Sequence, residues 1–103
     1  MASLPATTDH IEIGLESLRL MLGDLPDVAA DWDQLSDGER ASWSHDWDQL
    51  MGTELRLLDP CYRAGSMTPV QQERYRAVLA QLKTALPLLN RLDLYRPTVS
   101  LER

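Results

Sequence analysis

The chain has 103 residues, of which 44% are hydrophobic and 25% charged, and its formal net charge is -6. That length and composition predict one globular domain with a single core and exclude a disordered chain. The acidic balance argues against binding to nucleic acid or to an anionic membrane, because both need a basic protein surface.

The N-terminal residues and the single cysteine indicate the cellular compartment of the protein. No apolar run reaches the ~20 residues of a membrane span, and the N-terminus lacks the basic start and apolar stretch of a signal peptide. Cys61 is the one cysteine, so it cannot form a disulfide within the chain. The sequence therefore predicts a cytoplasmic protein that does not cross a membrane.

The first helix is predicted over residues 9–22, with Thr8 or Asp9 as its cap and Gly23 as its end. Its core face follows from helical spacing. A second apolar pair, Ile13 and Leu20, lies on the opposite side, so this helix is either buried between two layers or leaves an apolar strip for a partner. The core-face residues are Ile11, Leu15, Leu18 and Leu22.

A short second helix is predicted from Pro26, which suits a first helical turn, to about Leu35. The pentapeptide Asp-Trp-Asp-Gln-Leu occupies residues 31–35 and recurs at residues 46–50. Core packing of the tryptophans and leucines explains this repetition best. The alternative is a cation site, whose hard oxygen ligands would be Asp31, Asp33, Asp46 and Asp48.

A third helix is predicted from about residue 37 to residue 58. Ser36 and Glu39 form a capping box at its start, and Asp59 before Pro60 is expected to end it. Trp43 and Trp47 mark its apolar face. The middle of that face also carries Glu54, where a carboxylate is costly unless it is paired or protonated.

A fourth helix is predicted from Pro69 to about Leu92, with Thr68 and Gln71 as the capping box at its start. Pro87 either kinks or interrupts this helix. Residues 1–7 and 95–103 are expected to be flexible or extended. No segment shows the alternation of a strand, so the sequence predicts an all-α fold: an antiparallel bundle of about four helices with a long C-terminal hairpin.

Glu54 raises two possibilities besides exposure at the edge of the helix, where its long side chain would reach water. In a hairpin that turns near residues 62–65, it reaches the level of Arg74 and Tyr75, and one of these is predicted to satisfy its carboxylate. In the first interpretation this polar link fixes the register of the helices. In the second, Glu54, Trp43, Trp47, Arg74 and Tyr75 line a pocket for a ligand.

No other residues form a complete chemical site. His10 and His45 each have acidic neighbours but lack the three or four converging ligands of a zinc site. Cys61 has no histidine near it in sequence to act as a base. We therefore predict no catalytic residues, no metal site and no cofactor, and an enzyme is not the favoured class.

The leading functional hypothesis is a non-enzymatic intracellular interaction module that docks helices, as a homodimer or with another helical protein. Its expected seam consists of Ile13, Leu20, Ala77 and Leu88. Residues 1–54 carry twelve acidic and two basic residues, and residues 55–103 carry four acidic and eight basic residues. This asymmetry favours a two-fold antiparallel pairing.

The alternative is a protein that binds a metal or a small ligand in a Trp-lined pocket around Glu54. A third hypothesis is that the acidic half occupies a basic partner.

Overall fold

The computed structural model describes the backbone of residues 6–102 and the side chains of residues 10–102. Three α-helices make up this part of the chain: α1 (Ala6–Asp31), α2 (Asp37–Arg63) and α3 (Pro69–Leu92). A single turn of 3-10 helix, Trp32–Gln34, links α1 to α2. The predicted all-α class is confirmed, since the described residues contain no strand, but the prediction of about four helices is wrong.

The miscount arises in α1, which continues through both Gly23 and Pro26. Leu22 and Leu25 before the proline and Ala29 after it are all buried. A continuous helix keeps these three side chains in the core, and their burial outweighs the lost hydrogen bond at Pro26. The two predicted N-terminal helices are therefore one.

Two further prolines likewise lie inside helices. Pro60 falls within α2, which ends at Arg63 and not before Asp59 as predicted, and Pro87 falls within α3 without interrupting it. The predicted starts of α2 and α3 are confirmed, whereas α1 begins at Ala6, three residues before the predicted start. Ser36 and Thr68 each form a capping box with the residue three positions later, Glu39 and Gln71.

The order of the helices in space places α1 in the centre, because most close backbone contacts join α1 to α3 and α1 to α2. Arg74 on α3 contacts Glu12 near the start of α1, and Arg91 near the end of α3 contacts Ala29 near the end of α1. Helices α1 and α3 are therefore parallel, and α2 runs antiparallel to both.

The C-terminal segment from residue 94 to residue 102 is extended and returns along the helices. The indole Nε1 of Trp47 donates to the carbonyl of Tyr95 at 2.8 Å, and Arg63 Nη2 donates to the carbonyls of Ser100 and Glu102 at 3.0 Å. Leu94 is buried. The extended tail is thus part of the packed structure; at the other end, residues 1–5 lie outside the described residues and residues 6–7 belong to α1.

The molecule is a thin slab of 50 × 32 × 19 Å. Its shortest dimension equals about two helix diameters, so a side chain that points away from the core soon reaches the surface. The two charged halves meet at the surface of this slab, where Arg74 lies 2.6 Å from Glu12 and 3.9 Å from Glu16. The largest fully buried side chains are Leu15, Leu18, Leu25, Trp47, Met51, Leu55, Leu58, Tyr75, Leu79, Leu82 and Leu89.

Candidate functional site

Glu54 lies on α2 and faces α1. Its Oε2 atom is buried without a hydrogen-bond partner among the described residues, and His10 Nε2 lies 3.5 Å from it. Only 16% of the Glu54 side chain is exposed. The carboxylate fits because residue 14 is glycine: a Cβ there would lie 2.5 Å from Glu54 Oε2.

The predicted partners of Glu54 bind elsewhere. Arg74 pairs with Glu12, and the hydroxyl of Tyr75 donates to Asp59 Oδ1 at 2.8 Å. The prediction that one of them satisfies Glu54 is therefore wrong. The prediction fails because α1 packs against the face of α2 that carries Glu54. The sequence interpretation placed α3 at that face.

The fit between Gly14 and Glu54 makes a testable pair. In the natural chain, Gly14→Ala is expected to leave the free energy of unfolding unchanged or lower it, because the clash offsets the gain of about 1 kcal/mol from alanine's helix propensity. In a Glu54→Ala background the same change is expected to be more favourable than in the natural chain, because only the 3.1 Å contact with Leu58 Cδ1 remains. Urea denaturation of the four chains measures this coupling.

Gly23→Ala is the matched control for that coupling, because an added Cβ at this position of α1 meets no atom within 4 Å. It is expected to stabilise the protein by about 1 kcal/mol in both backgrounds. Equal effects of Gly14→Ala in the presence and absence of the Glu54 carboxylate would contradict the close fit.

Trp43 and Trp47 differ in environment although they stack on each other, with ring centroids 5.6 Å apart and an interplanar angle of 19°. Trp47 is fully buried, whereas Trp43 is half-buried. Trp43 lines an open hollow of about 280 Å³ between α1 and the start of α2, which we call the Trp43 hollow. Its other lining residues are Asp27, Val28, Asp31, Leu35 and Glu39.

The five residues predicted to share a pocket are thus distributed over different places. Glu54 borders a separate hollow that contains no tryptophan, Arg74 lies between α1 and α3, and Tyr75 is fully buried beside Asp59. The expected Trp-lined pocket around Glu54 is not assembled. The residues that line the hollow with Glu54 are Met21, Asp46, Gln49, Leu50 and Thr53.

The carboxylates around the Trp43 hollow are mostly unpaired. Asp27 and Asp31 form no ion pair with any described residue, and the last turn of α1 contains no basic residue. Two like charges four residues apart repel each other, and the C-terminal end of a helix disfavours negative charge. Both effects mean that these charged aspartates lower the stability of the isolated protein.

Sequence reasoning missed this hollow, although it weighed Asp31 as a cation ligand. The available signal was the pair Asp27 and Asp31, at a spacing of four and just before Trp32. The predicted helix from Pro26 to about Leu35 already placed these two aspartates on one face, but the sequence did not show that Trp43 of α2 packs beside that face.

The predicted interface residues lie on the outer surfaces of α1 and α3. Ile13 and Leu20 are 64% and 53% exposed on one side of α1. On α3, Ala77 is exposed, and Leu88 is half-buried at the edge of an apolar groove of about 400 Å³ between the two helices. The remaining groove residues are Leu22, Leu25, Pro26, Ala80, Gln81, Thr84 and Ala85.

Metal binding, chemistry at the Cys61 thiol and a membrane span have little support among residues 10–102. No three histidine, cysteine, aspartate or glutamate side chains in this part of the chain come close enough to hold a metal ion. The Cys61 thiol lies 3.6 Å from the carbonyl of Leu57, one turn earlier in its own helix. None of the described helices combines the length and apolar character needed to span a membrane.

Comparison with protein-family models, with curated proteins and with solved structures finds no match for this chain.

Proposed function

We propose that the protein is a non-enzymatic interaction module that acts by docking helices, and that a second copy of the chain is its first partner. The observation that carries this proposal is the exposure of Ile13 and Leu20, 64% and 53%, on one side of the central helix. Two large aliphatic side chains seven residues apart form a short apolar strip, of the kind that helix-docking surfaces use. We call this pair the α1 strip.

The charges beside the α1 strip favour a second copy as its occupant. The exposed surface of α1 carries Asp24, one turn after Leu20, and that of α3 carries Arg91 beside Leu88. A two-fold axis that places α1 of one copy antiparallel to α3 of the other brings an acidic helix against a more basic one. The thin slab supports the same pairing, because a second copy adds the layer that would cover the strip.

Leu20→Glu tests this proposal. The natural protein is expected to show twice the 11.7 kDa chain mass by light scattering at micromolar concentration, and a melting temperature that rises with concentration. Leu20→Glu is expected to be a monomer, because a carboxylate in an apolar seam must give up its water.

Leu57→Glu is the matched control. Leu57 is 47% exposed on α2, outside the α1 strip, so the substitution adds the same charge at a similarly exposed leucine. It is expected to leave the dimer intact. A monomeric mass for the natural protein, or equal loss of the dimer in both variants, would contradict self-association through α1.

A further inference from the structure

We infer that the Trp43 hollow is a docking site for a basic segment of a partner protein, with an arginine side chain of that segment entering the hollow. This site is separate from the α1 strip and does not depend on self-association. The partner's chemistry follows from the apolar floor of the hollow and from the charge of its rim.

The floor of the hollow is apolar and aromatic. Val28 of α1, Leu35 and Trp43 line it, and Trp43 stays half-exposed although the tryptophan stacked on it is buried. Tryptophan is the aromatic side chain that binds a cation over its face most strongly. The methylene groups of an arginine or lysine are suited to the aliphatic part of the same floor.

The rim of the hollow carries three carboxylates, from Asp27, Asp31 and Glu39. Hydrogen bonding from the backbone amide of Ser36 lowers the pKa of Glu39, so this side chain stays charged at neutral pH. Asp27 and Asp31 repel each other and oppose the dipole of α1. A cation bound between them relieves both unfavourable effects, which gives the hollow a charge complementary to a basic segment.

Arg40, three residues before Trp43 on α2, does not fill this role. Arg40 Nε donates to the carbonyl of Trp32 at 2.8 Å, and its Nη atoms contact the Asp33 carbonyl and the Asp37 carboxylate. Arg40 therefore stabilises the turn between α1 and α2 and forms no ion pair with the rim aspartates.

Arginine is favoured over lysine by the combination of floor and rim. A planar guanidinium stacks on an indole and donates to a carboxylate through two parallel hydrogen bonds, whereas an ammonium is a point charge that holds its water more strongly. The hollow offers both partners within one concave surface.

Titration with an oligo-arginine peptide, and with an oligo-lysine peptide of equal length, tests this inference at about 0.15 M salt. Affinity is measured by fluorescence anisotropy of the labelled peptide. The binding surface is mapped by amide shifts in NMR, which are expected around residues 27–43. Oligo-arginine is expected to bind more tightly than oligo-lysine, and equal affinities would overturn the stacking argument.

The double variant Asp27→Asn with Asp31→Asn is expected to weaken oligo-arginine binding about tenfold. Its unfolding midpoint in urea is expected to rise, because the repulsion and the dipole penalty are removed, so weaker binding is not a sign of unfolding. The matched control is Asp46→Asn with Asp48→Asn, which removes the same charge from exposed positions on α2 outside the hollow.

The control double variant is expected to change oligo-arginine affinity by less than about twofold, since it alters only screened surface charge. Equal weakening by the two double variants would show attraction to the whole acidic surface and would overturn the site. Leu20→Glu is expected to bind oligo-arginine as tightly as the natural protein, so failure of this site and failure of self-association give different results.

Discussion

Trp47→Ala is expected to lower the free energy of unfolding by about 4 kcal/mol, a large part of the stability of a domain this size. Trp47 has no exposed surface, and its indole donates to the carbonyl of Tyr95 in the C-terminal segment. The substitution leaves a cavity beside Trp43 and removes a hydrogen bond that holds the tail against α2. Urea denaturation followed by circular dichroism measures the loss.

Trp47→Phe separates the contribution of the buried apolar volume from that of the hydrogen bond to Tyr95. It keeps most of the apolar volume but leaves the Tyr95 carbonyl without its donor, so a loss of about 1–2 kcal/mol is expected, with faster amide exchange in residues 95–102. Trp32→Phe is the control, because Trp32 is half-buried and its indole N–H makes no hydrogen bond to any described residue. Similar losses at the two positions would contradict a role of Trp47 in fixing the tail.

Tyr75→Ala is expected to cost a similar amount, about 4 kcal/mol, because Tyr75 is fully buried and packs on Tyr62 with ring centroids 4.9 Å apart. Tyr75→Phe removes only the hydroxyl, which donates to Asp59 Oδ1 at 2.8 Å. Asp59 keeps its ion pair with Arg63 at 3.5 Å, so we expect the loss in Tyr75→Phe to be about 1–2 kcal/mol.

The same tyrosine predicts how stability depends on alkaline pH. Burial, and then the hydrogen bond to Asp59, raise the pKa of Tyr75 above its ordinary value. The folded state therefore holds the phenolic proton more tightly than the unfolded chain does. Its contribution is complete below the unfolded pKa of about 10 and is lost as the pH rises toward the folded value.

Urea midpoints measured between neutral pH and the alkaline range test this sign. The natural protein is expected to lose stability above about pH 10, and Tyr75→Phe is expected to lose less over the same range. Tyr62→Phe is the control. Tyr62 is only half-buried and contacts the Tyr75 ring, so this substitution leaves the hydroxyl of Tyr75 in place. Identical pH profiles for the natural protein and Tyr75→Phe would contradict the raised pKa.

The helix starts and the helix ends differ in how well they could be predicted. The capping boxes at Ser36 and Thr68 are local, since each joins residues three positions apart, and both were predicted correctly. Gly23, Pro26 and Pro60 were wrongly predicted to end or begin helices. Each does weaken a helix locally, but core-facing residues on both sides make a continuous helix more stable in the folded protein, and after Pro60 these are the half-buried Cys61 and Tyr62.

The candidate sites were predicted less well than the helices. Exposure of Ile13 and Leu20 follows from helical spacing, and Glu54 was correctly singled out as a carboxylate at a largely buried position. Its neighbours were not predicted, because His10 and Gly14 are distant in sequence and come near it only through the packing of α1.

The amino-acid sequence by itself therefore determined the all-helical class, the starts of α2 and α3 and the apolar faces, because these depend on interactions within a few residues. Only the tertiary structure decided the number of helices, the partners of Arg74 and Tyr75, and the hollow in which Trp43 meets Asp27 and Asp31. The physical reason is that these features depend on which helix faces which. That choice is made by burial summed over the whole core, and no short stretch of sequence contains it.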